Sequence, residues 1–133
     1  MAVDVKRVNP ATLPDAGAMG YSQITTCKPG KLVFISGQVA WQVDGAPVPD
    51  DLLDQARIAM GNVIKALEAV KAGPKNITSI RMYIVNPSPE DFYSVTPVLI
   101  DAMEGIQPTF TALGVSALAG EGLKIELEVT AVV

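Results

Sequence analysis

The chain contains no histidine, which excludes the functions that depend on this residue. No histidine base is present to activate a serine or a cysteine, and no metal site can be built on imidazole ligands. We therefore expect no metal site. Any acid–base chemistry must use carboxylates, tyrosine, lysine, cysteine or bound water.

Cysteine is almost absent as well, since Cys27 is the single one and cannot form a disulfide within the chain. No apolar run approaches the ~20 residues that are needed to cross a bilayer. The first nine residues carry Asp4, Lys6 and Arg7 and lack the apolar core of a signal peptide. These absences predict a cytoplasmic protein without a membrane partner.

Charge is scarce, because charged residues make up 18% of the 133 residues and the net charge is −4 without any basic run. Nucleic acids are bound by basic surfaces, so we expect no nucleic-acid partner. A small chain with few charges often covers part of its surface with another copy, which favours an oligomer. The length fits a single domain over residues 1–133.

Proline and glycine divide the chain into short elements in the order ββαβαββ, which is typical of an α+β fold. Apolar runs and alternating patterns predict strands at 3–8, 31–36, 77–85, 108–115 and 123–132. Apolar residues at helical spacing predict a first helix that follows Asp50 and Asp51 and runs to Val70. A second helix follows Ser88 as its N-cap, and Pro97 is expected to kink it or delay its start.

The polar residues of two strands are expected to share one face of the sheet. Strand 77–85 places Arg81 and Tyr83 opposite its apolar residues, and the last strand does the same with Glu126 and Glu128. Two helices cover only one face of a broad sheet, so this polar face is left to water or to another subunit. Strand 31–36 is apolar throughout and is expected to be covered on both faces.

Several short segments match one known family in order along nearly the whole chain. They are Tyr21-Ser22-Gln23, Phe34-Ile35-Ser36-Gly37-Gln38, Gln55 with Asn62, Asp91-Phe92, Pro108, and Ile125-Glu126-Leu127-Glu128. No single segment is specific. Together they resemble the RidA/YjgF family, formerly called endoribonuclease L-PSP, in which the corresponding segments include GPYSQ, SGQ, P-A-R-S and V-E-I-E.

This resemblance implies a fold like that of the small bacterial chorismate mutases, in which a mixed sheet carries two helices on one face. It also implies a homotrimer that joins through the other face and binds a small-molecule ligand in clefts at its subunit interfaces. RidA proteins hydrolyse enamines and imines that pyridoxal-phosphate enzymes release, and they use water without a cofactor. We therefore expect no cofactor here.

The family's site residues are only partly retained, as the resemblance shows. Tyr21, Ser36 and Gly37 match residues that shape the cleft, and Glu126 matches the glutamate to which water orientation or activation is attributed. Three further positions are expected to bind substrate. Two of them differ from the residues that the family carries, and the third is next to one of these two. They are Phe110, at the position of the arginine that holds the substrate carboxylate, Thr96, at the position of a helix asparagine, and Thr111, beside Phe110.

The replacement of this arginine predicts weak deamination of ordinary 2-iminoacids. Phenylalanine cannot supply a bidentate guanidinium and offers a flat apolar surface instead. Losing one partner of a buried charge pair costs roughly 2–5 kcal/mol, which is ~30-fold to a few thousand-fold in binding. Phe110 could line an apolar ligand cleft or pack in a subunit interface, and the sequence leaves both open.

Three functions therefore remain. The first is a cofactor-independent hydrolase or deaminase of a neutral or more apolar imine, enamine or related metabolite, with water oriented by Glu126. The second is a non-catalytic trimer whose clefts bind a metabolite or a partner. The third, an endoribonuclease, is disfavoured by the acidic chain. Structural alternatives also stand, namely an interface ion pair for Glu126, a loop anchor for Tyr21 and a strand-ending turn for Ser36-Gly37.

Overall fold

A computed structural model describes residues 4–133, which form two α-helices, six strands and two short 3-10 helices. The strands and helices are β1 (Val5–Val8), β2 (Ile24–Cys27), β3 (Leu32–Gln38), α1 (Leu52–Ala69), β4 (Ile77–Val85), α2 (Pro89–Ala102), β5 (Thr109–Val115) and β6 (Ile125–Val132); the 3-10 helices span Gly17–Met19 and Pro74–Asn76. The predicted α+β class is confirmed. The predicted first strand began at residue 3, which lies outside the described residues.

Four strands form the central sheet in the order β3-β6-β4-β5. The pair β4–β5 is parallel and the other two pairs are antiparallel, so the sheet is mixed as expected. A separate antiparallel ribbon consists of β1 and β2. Strand β2 was not predicted, because its sequence Ile-Thr-Thr-Cys has neither an apolar run nor a clear alternation.

Both helices pack on one face of the sheet, as the patterns predicted. The alternating apolar residues of β4 and β6 are almost fully buried there, and they meet the apolar stripes of α1 and α2. The sheet contributes Ile80, Met82, Ile84, Ile125, Leu127 and Val129, and the helices contribute Ala56, Ala59, Met60, Val63, Leu67, Val95 and Leu99. The opposite face, called the outer face below, carries the polar residues of the same strands.

The helix starts follow from their capping residues. The Asp51 carboxylate accepts a hydrogen bond of 3.0 Å from the Asp54 N–H, and the Ser88 N–H donates to the Asp91 carboxylate over 2.9 Å. Pro97 does not delay α2, which begins at Pro89 and continues through Pro97 to Ala102. Within residues 4–133, neither helix is long and apolar enough to span a membrane.

Strand β3 differs from its prediction. It lies at the edge of the sheet, and only Val33 and Ile35 face the helices. On the outer face Leu32 is 59% exposed and Phe34 is 75% exposed, so the expected cover on both faces is wrong for the isolated chain. The reason is that no element within residues 4–133 covers the outer face of β3. Apolarity alone does not say which molecule covers a strand.

Candidate functional site

The predicted site residues fall into two groups that the sheet separates. Phe110 lies beside Ile80 in the parallel pair, and Ile80 is buried under the helices, so Phe110 faces the helix layer. Glu126 of β6 lies beside Tyr83 of β4 and faces outward. Since β5 and β3 form opposite edges of the sheet, the Phe110 group and the residues at the end of β3 cannot share one cleft within a single chain.

The first group surrounds a cavity of about 420 Å³ between α2, β5 and the segment 18–21. Tyr21, Thr96 and Phe110, all predicted to bind substrate, line this cavity together. Phe110 is half-buried and also packs against the core. None of the thirteen lining residues is Asp, Glu, Lys or Arg, so the cavity is apolar with a few hydroxyl groups.

The segment that carries Tyr21 is held over the cavity by backbone contacts. The Ser22 N–H donates to the Pro108 carbonyl over 3.0 Å, and the Ser22 hydroxyl donates to the Gln107 carbonyl over 2.5 Å. Gly20 has φ +87°, and a Cβ there would stand 3.1 Å from Cγ1 of Ile100 on α2. Glycine at this turn therefore lets the segment close against the helix.

Thr96 makes its hydrogen bond inside its own helix. Its hydroxyl donates to the Phe92 carbonyl over 2.7 Å. A threonine in this arrangement presents its methyl group and a hydroxyl whose proton is already engaged. The side chain of Thr96 therefore offers a ligand an acceptor oxygen and a methyl group.

The second group contains Ser36, Gly37 and Glu126, and a β-bulge brings it together. Ile35 pairs with Val129 while Gln38 pairs with Leu127, so β3 has one residue more than β6 at this point. A Cβ on Gly37 would stand 2.5 Å from Cδ of Glu126. The Glu126 side chain thus occupies the space that glycine leaves free. Ser36 is exposed beside it.

The Glu126 carboxylate has no hydrogen bond or ion pair within the part of the chain that the structure describes. The alternative pairing with Lys124 is not formed, because the Lys124 ammonium donates to the Asp50 carbonyl. Glu126 is half-buried on the outer face. Its oxygens remain available to accept hydrogen bonds from water or from a ligand.

A further polar cluster occupies the outer face beside Glu126. The Tyr83 hydroxyl donates to Oε1 of Glu128 over 2.9 Å, and this hydrogen bond, with some desolvation, raises the pKa of Tyr83. Nη1 of Arg81 lies 3.9 Å from the same oxygen. Thr111 is in register with Arg81 and is exposed on this face. Alternation along β5 therefore separates Thr111 from Phe110, and the structure does not group them in one binding surface.

Two amides that the resemblance singled out hold the loops around the second group. Nε2 of Gln55 donates to the carbonyls of Pro49 and Gly122 over 2.8 Å and 2.9 Å. Nδ2 of Asn62 donates to the carbonyls of Val39 and Trp41 over 3.0 Å and 2.8 Å. These hydrogen bonds hold the loop that follows Gly37 and the loop that precedes Glu126. The Trp41 ring is 57% exposed and lies against Gly120.

Several lining residues were missed by sequence reasoning, among them Met19, Tyr93, Ile100 and Ala112. The signals for Ala112 and Ile100 were present. Ala112 follows Phe110 by two positions in a strand, and Ile100 follows Thr96 by four positions in a helix, so each shares a face with a predicted residue. Tyr93 precedes Thr96 by three positions in the same helix and carries the same signal. Met19 could not be placed without the position of segment 18–21. Among residues 4–133, no three His, Cys, Asp or Glu side chains converge to hold a metal ion.

Comparisons with known proteins agree with this fold. Residues 12–133 match the model of the family described as Endoribonuclease L-PSP, and the chain belongs to this family, which is the RidA/YjgF family. The RutC family protein YjgH of Escherichia coli is 33% identical over 100 residues, which are 74% of each chain. The proposed reactive intermediate deaminase TdcF of Escherichia coli is 32% identical over 106 residues, which are 77% of this chain and 80% of TdcF.

Solved structures give the same result. YyfB of Yersinia pestis, a Rid-family protein of unknown function, superimposes with a TM-score of 0.92 at 32% identity and covers 97% of this chain and 98% of its own. Escherichia coli TdcF, solved with bound serine, superimposes with a TM-score of 0.70 at 28% identity and covers 80% of this chain and 84% of its own. The expected family fold is confirmed.

Proposed function

We propose that this protein is a cofactor-independent, deaminase-like hydrolase of an imine, enamine or related small metabolite, and that its active clefts form between neighbouring chains of a homotrimer. One observation carries this proposal. The cavity of Tyr21 and Phe110 and the carboxylate of Glu126 lie on opposite faces of one sheet. Two copies of the chain can bring them into one cleft, with each copy supplying one half.

The outer face has the properties of a surface that another copy covers. Leu32, Phe34 and Leu113 are large apolar residues that lie 59%, 75% and 43% exposed. They occupy the two edges of the sheet, and the polar cluster of Arg81 and Glu128 lies between them. Apolar patches of this kind on a small chain with few charges mark a protein interface.

In the proposed reaction, Glu126 orients a water molecule and accepts one of its protons as the water oxygen adds to the carbon of the C=N bond. The C–N π electrons move to nitrogen, which takes a proton from solvent. In the resulting carbinolamine the C–N bond breaks as Glu126 returns its proton to the leaving nitrogen, and the hydroxyl proton passes to solvent as the C=O bond forms. Imine and water thus give a carbonyl compound and ammonia, with no electron acceptor needed. An enamine enters the same route after protonation at carbon.

The relatives support the deaminase-like character, since TdcF carries that description. A second candidate is a trimer that binds a metabolite without converting it. The apolar wall of Phe110 and the engaged hydroxyl of Thr96 favour this candidate. The two candidates differ in whether Glu126 is needed for chemistry or only lies beside a bound ligand.

The test is ammonia release from imines formed in situ by an amine oxidase, compared among wild type, Glu126→Gln and Glu128→Gln. Glu128 is the matched control, because it lies two residues further along the same strand and face. We expect Glu126→Gln to lose roughly 10²- to 10⁴-fold in rate, and Glu128→Gln to keep most of it. Equal rates for wild type and Glu126→Gln across neutral and carboxylate-bearing imines would support the binding module instead.

A further inference from the structure

The cavity of Tyr21 and Phe110 lacks any partner for an anionic ligand. Its thirteen lining residues include no lysine or arginine, and β5 has no charged residue along its whole length. Phe110, which lines the cavity from β5, is uncharged and cannot hold a carboxylate. Of the three hydroxyl side chains in the lining, that of Thr96 already donates to a carbonyl within its helix.

The charged residues of α2, which forms one wall of this cavity, are all acidic. The neighbouring turns of α2 carry Glu90, Asp91 and Asp101, and α2 has no lysine or arginine. In the proposed trimer, the residue that faces the cavity from the next chain is Glu126, which adds another carboxylate. Arg81 and Lys124 do not offset these negative charges, because each already has a partner. Arg81 lies near Glu128, and the Lys124 ammonium donates to the Asp50 carbonyl. A ligand carboxylate in this cavity would therefore lose its hydration without gaining an ion pair, which makes its binding unfavourable.

We infer that the substrate is an uncharged imine or enamine without a carboxylate group, and that its aromatic or branched aliphatic end packs on Phe110. This inference rests on the proposed function for the role of the cavity as half of an active cleft. A volume of about 420 Å³ accommodates a small metabolite with such a group. Tyr21, which also lines the cavity, carries a hydroxyl that can hydrogen-bond the polar end of the ligand. Phe110 and Ala112, on the β5 side, determine that the other end is apolar.

Binding distinguishes this substrate class without any need for turnover. The probes are 4-methylpentan-2-one and 4-methyl-2-oxopentanoate, which differ only in a methyl group against a carboxylate beside the ketone. Methionine methyl groups labelled with carbon-13 report the site by NMR, because Met19 and Met103 line the cavity. Met60 is buried on α1, does not line the cavity and is the internal control.

We expect the neutral ketone to shift Met19 and Met103 but not Met60, and to bind on the order of 10- to 100-fold tighter than the oxoacid. Equal or tighter binding of the oxoacid at Met19 and Met103 would overturn the inference. Failure of both probes to shift these methyl groups up to the solubility of the ketone would overturn it as well.

Two variants test the role of Phe110. Phe110→Leu should keep the preference for the ketone with lower affinity, while Phe110→Arg should narrow or reverse the preference. If Phe110→Arg does not fold, Phe110→Leu alone tests the role of Phe110. A preference that shifts toward the oxoacid in Phe110→Leu would contradict the recognition of an apolar group at this position. Selective ketone binding without imine turnover would confirm the uncharged ligand class and contradict the proposed hydrolase. Turnover of carboxylate-bearing imines with weak ketone binding would support the hydrolase and contradict the uncharged ligand class.

Discussion

Gly37 and Glu126 pack against each other across β3 and β6, so that a Cβ atom on residue 37 would stand 2.5 Å from Cδ of the glutamate. The β-bulge in β3 makes this contact, since its extra residue turns the glycine toward β6. The glycine of the SGQ segment thus determines where the Glu126 carboxylate lies. Gly37 is a positioning residue, and Glu126 is the residue that is proposed to contact water.

Gly37→Ala tests this relationship. The added methyl group must displace the Glu126 side chain, so we expect a loss of imine hydrolysis of about 10-fold or more with a stability cost of about 1–3 kcal/mol. The control is Gly61→Ala, because a Cβ on this helical glycine meets nothing within 4 Å. That control should be stabilised by about 0.5–1 kcal/mol without loss of rate. Hydrolysis rates and urea unfolding of both variants are measured against wild type. An unchanged hydrolysis rate in Gly37→Ala would contradict the role of Gly37 in positioning Glu126.

The sequence predicted the helices, the burial of β4 and β6 and the outward direction of Glu126 and Glu128, because each of these depends on a local period. It did not show that Phe110, rather than Thr111, faces the helices. That result requires the register of β5 against β4, which is a long-range pairing.

The environment of β3 was also beyond the sequence. The sequence pattern of an apolar strand is the same whether a helix of its own chain or a second copy covers it. Phe34 is exposed because nothing within residues 4–133 covers it. The cavity itself depends on segment 18–21, whose position is set by contacts of Ser22 with residues far along the chain. Resemblance named Tyr21 without showing where its segment would be held.

Assembly through the outer face predicts that Phe34→Asn weakens the homotrimer. The substitution removes an aromatic group that is 75% exposed in the single chain and that another copy would bury. Val70→Asn is the control, since Val70 is an exposed apolar residue at the end of α1. Sedimentation equilibrium at micromolar concentration should show a wild-type trimer, a dissociating Phe34→Asn and an intact Val70→Asn. A wild-type protein that sediments as a monomer would rule out both the trimer and its clefts.

Alkaline pH should destabilise the protein through Tyr83. The hydrogen bond to Glu128 raises the pKa of Tyr83 above its usual 10.0, so the native state keeps a proton that the unfolded state releases. The corresponding stability is present below pH 10.0 and is lost as pH rises through the raised pKa. Urea unfolding of wild type and Tyr83→Phe on both sides of this pH measures the effect. Parallel pH dependences of the two proteins would show that Tyr83 does not contribute.

Ordinary 2-iminoacids should be poor substrates. Phe110 offers no charge to a carboxylate, so we expect hydrolysis of 2-iminopropanoate at least about 30-fold slower than by a relative with the arginine. The assay couples a pyridoxal-phosphate dehydratase to each protein and follows the decay of the intermediate. Comparable rates would refute the assignment of Phe110 to the substrate pocket and would direct attention to Arg81.

Subunit complementation tests most directly whether two chains build one cleft. One parent carries Glu126→Gln, and the other carries Ala112→Phe, which fills the cavity beside Phe110. Each parent alone should be inactive, because every cleft in it lacks one half. Co-expressed chains with two different tags, purified over both tags, should regain activity, since about a third of the clefts in trimers that contain both chains combine an intact cavity with an intact Glu126. Mixed trimers that remain as inactive as their parents would contradict a cleft shared between chains.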